Sequence, residues 1–188
     1  ASDVYKRQEY IIGEGYHIYK SEAVGTAALG GVIPQTVPVL EDGSIDIEVA
    51  IGKVKSDDMH FPRTKLLCLE NTYNGKPLSP KYMQCATAAA RKVNLRSHLD
   101  GARLMNAAIA NKCTPRELVS SFDTVSLCLS KGLGAPVGSV LVGNQDFINE
   151  ARRVRKMLGG GMRQAGILAA CGICLLYTSP SPRDFEAS

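Results

Sequence analysis

An α/β fold, a mostly parallel sheet covered by helices on both faces, is predicted by three features of this 188-residue sequence. Short β-branched or apolar runs alternate with longer stretches of helical periodicity, as in strand–helix–strand units. The runs at 66–70 and 124–129 are apolar almost throughout, as strands buried on both faces are. Polar and glycine residues follow the ends of those runs, where open α/β sheets collect their ligands.

The elements follow in order. Residues 10–13 read as a short strand and 17–28, rich in alanine and glycine, as a helix. Residues 37–40 read as a strand with Pro34 and Pro38 beside it, and an Asp42-Gly43 turn leads to a helix over 45–54. After the buried strand 66–70, Ser79-Pro80 is an N-cap with proline at the first helical position, opening a helix to about Val93. Strand 95–99 leads into helix 102–110, and Thr114-Pro-Arg-Glu117 is a capping box. Strands 124–129 and 139–142 follow, and Asn144 caps a long basic helix reaching Leu158.

Composition excludes several classes of partner. Hydrophobic residues make up 45% and aromatic ones 6%, ordinary for a globular α/β core. The net charge of +4 is mild and partly local to Arg152-Arg153-Val-Arg155-Lys156, so no nucleic acid is expected. No apolar stretch reaches the about 18 residues that span a bilayer. Six cysteines are scattered; Cys171-Gly-Ile-Cys174 has paired spacing but no second pair or nearby histidine, so no metal site is expected. Scattered thiols suit a reducing cytosolic or organellar compartment; a cytoplasmic setting is expected, although a targeting segment ahead of the chain would not be visible here.

The chemistry centres on Lys131. It ends an apolar run and precedes a glycine-rich turn, and a poorly solvated lysine there would favour the neutral, nucleophilic amine. A lysine snorkelling from a strand end is the plain alternative. Upstream, a second strand end carries Asp100 and Arg103. A Schiff-base lysine plus an aspartate for a pyridinium nitrogen is the minimal protein equipment for pyridoxal 5'-phosphate. The rival is a dinucleotide fingerprint at Gly132, Gly134 and Gly138. That motif must open a helix, whereas Pro136 and a β-type run follow here.

Four blocks carry a family resemblance: KLLCLENTYNGK at 65–76, HLDGAR at 98–103, SKGLGAPVGS at 130–139 and GGGMRQ at 159–164. In this order they resemble the L-threonine aldolases, pyridoxal-phosphate lyases of the aminotransferase-like fold type I. The departure is Tyr73, where many relatives carry histidine. The resemblance implies that Lys131 holds the cofactor, Asp100 its pyridine nitrogen, and Arg103 its ring oxygen or the substrate carboxylate. It also implies that His17 stacks on the ring, His60 stands near the substrate β-hydroxyl, and Arg163 and Lys156 lie near the phosphate. His98 is read as support for Asp100, and Asn71, ahead of Glu70, as the polar contact of the pocket. The implied reaction is retro-aldol cleavage of a β-hydroxy amino acid, L-threonine or L-allo-threonine, to glycine and acetaldehyde in a homotetramer. An aminotransferase or β-eliminating lyase is the alternative. Residues 1–8 and 175–188 resemble translated sequencing adapters. The chain is therefore expected to be an inactive partial large domain over 9–174, lacking a phosphate-cradling turn and a C-terminal small domain.

Overall fold

The computed structural model describes residues 7–178. Six strands form one sheet: β1 (Gln8–Gly13), β2 (Ile33–Val37), β3 (Arg63–Glu70), β4 (Arg96–Asp100), β5 (Thr124–Cys128) and β6 (Ser139–Val142). Their spatial order is β2-β1-β3-β4-β5-β6. The first five are parallel, and β6 returns antiparallel to β5. Eight helices connect or follow them: α1 (His17–Lys20), α2 (Gly25–Ala28), α3 (Ile47–Gly52), α4 (Pro80–Lys92), α5 (Leu104–Ala110), α6 (Pro115–Val119), α7 (Gln145–Met157) and α8 (Gly166–Ile173). Most of the two terminal stretches set apart in the sequence, 1–6 and 179–188, lies outside the described residues. Gln8 itself opens β1 opposite Arg63, and Cys174–Thr178 continue α8 as a π-turn.

Local chemistry sets the helix starts. Asp46 accepts from the backbone of Glu48 and Val49, Ser79 from Tyr82, and Asn144 from Phe147. Both halves of the Thr114–Glu117 capping box are made. Three elements differ from expectation. The helix over 17–28 is two short ones, because Ala23 and Val24 take positive φ of 49° and 55°, which breaks the helix. The strand placed at 37–40 is instead Ile33–Val37. It lies at the sheet edge, where Pro34 costs no interior ladder bond. Val39 still bridges Ile45 across the Asp42-Gly43 turn. α8 has no sequence expectation, its run GILAACGI having almost no polar face.

The core lies around the first four strands. Tyr10, Ile11 and Ile12 are buried in succession, and adjacent strand residues point to opposite faces, so both faces of β1 are covered. Met83, Ala86 and Ala90 of α4 and Ala107 of α5 complete that core. At the amino end of the strands the buried carboxylate of Glu9 accepts from Lys55 Nζ at 2.6 Å, Thr64 Oγ1 at 2.7 Å and Gln35 Nε2 at 3.1 Å. Among the described residues no helix is long and apolar enough to cross a membrane.

Candidate active site

Parallel strands all end on the same edge of the sheet, so the residues after them are neighbours whatever their separation in sequence. Here β1 leads through Tyr16 to His17, β3 closes on Glu70, β4 closes on Asp100, and β5 leads through a turn to Lys131. Glu70 and Asp100 are register partners, and Asp100 pairs in turn with Ser126. The main-chain N–H of His17 donates to Glu70 Oε2 at 2.6 Å. Burial raises the Glu70 pKa and Asp100 adds to it, while the His17 hydrogen bond, the His17 charge and Lys131 pull it back. One carboxyl group thus feels His17, Asp100 and Lys131 together.

The Asp100 turn is tightly built. Its Oδ1 accepts from the Ala102 N–H at 3.1 Å, and the next N–H, of Gly101, donates to Ser126 O at 2.9 Å. A Cβ at Gly101 would stand 2.8 Å from that carbonyl oxygen, so glycine is needed for this approach to β5. A Cβ at Gly132 would meet Asn106 Oδ1, which shows the turn after β5 resting on α5, the helix that Arg103 starts. Behind Asp100 on the same face, His98 Nδ1 lies 2.8 Å from Thr124 Oγ1, and His98 is in register with Cys68. Burial lowers the His98 pKa against the opposing effect of Asp100. It also pushes the Cys68 thiol up to about 12. The ground behind Asp100 is therefore uncharged near neutral pH.

Other expected site residues stand differently. Lys131 lies in an exposed turn, not in a poorly solvated strand end, because β5 stops at Cys128. The argument from burial for a reactive amine is therefore not carried by this chain alone. The His17 ring is half-exposed, with Nδ1 3.0 Å from Glu22 Oε1. His60 precedes the amino end of β3, at the edge opposite the cluster; it is exposed, with Nδ1 2.7 Å from Asp58 Oδ1. Arg103 and Arg163 are exposed, and the stem of Lys156 lies where a Cβ at Gly161 would be. The ranking of Asn71 over Glu70 is reversed. Asn71 is fully buried, its amide bonded to Leu78 N at 3.0 Å and Leu78 O at 3.2 Å, so it latches the 71–78 loop. Glu70 faces the cluster. Its signal in the sequence was only its place at the end of a buried run, which Asn71 shared.

A model of the beta-eliminating lyase family matches residues 2–182. The chain is 52% identical over 169 residues to a low specificity L-threonine aldolase of Escherichia coli (strain K12), covering 90% of this chain and 51% of that protein. It is 46% identical over 174 residues to a probable low-specificity L-threonine aldolase 2 of Arabidopsis thaliana, covering 90% of this chain and 49% of that one. Among solved structures, Leishmania major threonine aldolase superposes with a TM-score of 0.78 at 24% identity, over 92% of this chain and 51% of that chain. A putative L-allo-threonine aldolase from Listeria monocytogenes superposes at 0.68 and 23% identity, over 83% and 42%. At those identities the likeness is one of fold: the mostly parallel sheet with its helices is theirs. The chain spans about half the length of the curated relatives it matches. Four strand ends meeting at one edge, in a sequence matched almost end to end, mark this chain as a member of the beta-eliminating lyase family.

Proposed function

We propose that the protein carrying this chain is a pyridoxal-phosphate-dependent threonine aldolase that cleaves L-threonine or L-allo-threonine to glycine and acetaldehyde. The observation that carries the reading is the meeting of His17, Asp100 and Lys131 around Glu70, in a chain 52% identical to a low specificity L-threonine aldolase. An amine, a carboxylate and an imidazole at one sheet edge are a donor set that fits the ring end of the cofactor. Lys131 would attach its carbonyl, Asp100 would keep its ring nitrogen protonated, and Arg103 would reach its ring oxygen or the substrate carboxylate with a fork of donors. When bound, the cofactor supplies an electron sink for the pair left as the Cα–Cβ bond breaks.

His17 would cover the ring face. The β-hydroxyl proton has to leave as the bond breaks, and a near-neutral imidazole suits that task. His60 is kept in this role only as a residue presented by a neighbouring copy, in the homotetramer the resemblance implies and the cytoplasmic setting the scattered thiols suit. Arg163 and Lys156 are proposed for the phosphate. Both are solvent-exposed here, and so is Lys131, so we expect the 188-residue chain to be inactive alone. Misplacing reacting groups by about 1 Å can cost about a hundredfold.

The test is acetaldehyde release, followed by a coupled assay with added cofactor, for a full-length parent and for this chain. The parent should yield equal glycine and acetaldehyde, Lys131→Ala should abolish turnover, and Asp100→Ala should slow it by about two orders of magnitude or more. Amino-group transfer without aldehyde would overturn the reading in favour of an aminotransferase.

A further inference from the structure

We propose that Glu70 is a positioning residue of this site, whose side-chain oxygen fixes the turn that carries His17 to the carboxyl edge of the sheet. Its relevance to cleavage rests on the threonine aldolase reading, but the contact itself does not. Apart from Ile18 and Tyr19, partly buried against the core, the segment that bears His17 has few anchors. α1 is four residues long, contains no buried residue, and receives no side-chain cap from Tyr16. Tyr16 anchors the preceding position: it is 1% exposed, its hydroxyl donates to Gly43 O at 2.9 Å, and its ring lies tilted against Tyr73 at 5.5 Å. One residue later the chain turns outward, and the His17 ring meets Glu22, itself exposed. The bond from the His17 N–H to Glu70 ties this turn to β3 and so to Asp100, across 53 residues of sequence.

Glutamate has the reach for this and a shorter side chain does not. The donor lies after β1, and β1 and β3 are adjacent, so the oxygen must cross from one strand end to the next. Placing a carboxyl beside Asp100 is unfavourable, since like charges on paired strand residues repel. Glu70 is nevertheless directed at the His17 amide, which is the bond an acceptor of that length can make. An amide oxygen at the same distance would make it too, without the repulsion.

The test uses the chain without cofactor, so it is independent of any activity. Backbone amide exchange at His17 is measured by NMR in the unmodified chain and in Glu70→Gln, Glu70→Asp and Glu70→Ala. We expect Glu70→Gln to retain the protection of the His17 amide, and Glu70→Asp and Glu70→Ala to lose about tenfold, the size of one net hydrogen bond. Glu70→Asp keeps the charge, so its failure beside the success of Glu70→Gln isolates acceptor reach. Unchanged protection in Glu70→Ala, or equal loss in Glu70→Gln, overturns the proposal. A second readout adds pyridoxal phosphate to the full-length parent and records the ring's induced circular dichroism. Glu70→Gln should keep the signal of the unmodified parent, and Glu70→Ala should change it. If the unmodified parent gives no signal at all, the cofactor reading fails while the amide result stands.

Discussion

The first four strands and the last two have elements of comparable local quality and very different burial. Ile11, Ile12, Leu67 and Leu99 are fully buried, whereas β6 exposes Ser139, Leu141 and Val142. α7 is as well capped as α4, yet α4 buries Met83, Ala86, Thr87 and Ala90 while α7 buries nothing. Val154, Met157, Leu158, Ile167 and Ile173 are exposed on the later elements. Caps and periodicity suffice to make a helix; only an opposing layer makes it a contributor to stability. The candidate site straddles this divide. Glu70 and Asp100 stand on the packed side, and Lys131 sits on the exposed one, which explains why its amine is solvated here.

The largest expected effect comes from paired truncations. Leu99→Ala should cost about 2–5 kcal/mol by opening a cavity between packed layers. Leu141→Ala in β6 should stay within about 0.5 kcal/mol. Urea unfolding of both measures the difference, and an equal cost would mean that β6 is covered in solution. Next comes Glu9, which has no exposed surface. Glu9→Ala leaves the donors of Lys55, Thr64 and Gln35 without their acceptor, at about 1–3 kcal/mol. A loss of only a few tenths would show that water replaces the carboxylate and that this end of the sheet is looser than its burial implies.

Helix caps sharpen the contrast further. Asp46→Ala and Asn144→Ala should each weaken their helix by about 1 kcal/mol. The first should lower the global unfolding midpoint, since α3 buries Ala50. The second should reduce far-ultraviolet helicity and leave the midpoint in place. A shifted midpoint for Asn144→Ala would join α7 to the cooperative unit.

The smallest effect is in pH dependence at the divide itself. The Glu70 pKa is raised in the folded chain, so the folded state binds that proton more tightly than the unfolded one. Its contribution is full below the ordinary glutamate value and is lost as pH rises through the raised one. Relative to Glu70→Gln, the unmodified chain should therefore lose stability across that window. The His17 hydrogen bond, the His17 charge and Lys131 limit the size of the change. A stability gain with rising pH would reverse the sign and place a stronger cation against Glu70 than the structure has.

Residues that dictate structure through near neighbours were legible in the sequence. Ser79-Pro80, the Thr114–Glu117 box and Asn144 start their helices because the groups they satisfy lie three residues away. The apolar runs at β3 and β5 declared strands, of which β3 is buried and β5 only half-buried, and the ends of β4 and β5 placed Asp100 and Lys131 at one edge by topology alone. Asn71 and Glu70 were misranked because they are adjacent and both polar at a strand end. Which one closes a loop on Leu78 and which one reaches His17 depends on partners 7 and 53 residues away. The break at Ala23 and Val24 was hidden for a related reason: both accept helical geometry, and nothing local announces the positive φ they adopt.

By itself, then, the sequence determined the alternation of elements, their caps and the strand ends on which the polar groups sit, because these are short-range matters of periodicity and hydrogen-bond supply. The tertiary structure alone decided that His60 falls at the far edge, that Lys131 meets solvent, and that Glu70 turns toward His17. Each of those depends on which layer packs against a strand and how far a side chain must reach across it, and no local pattern encodes either distance.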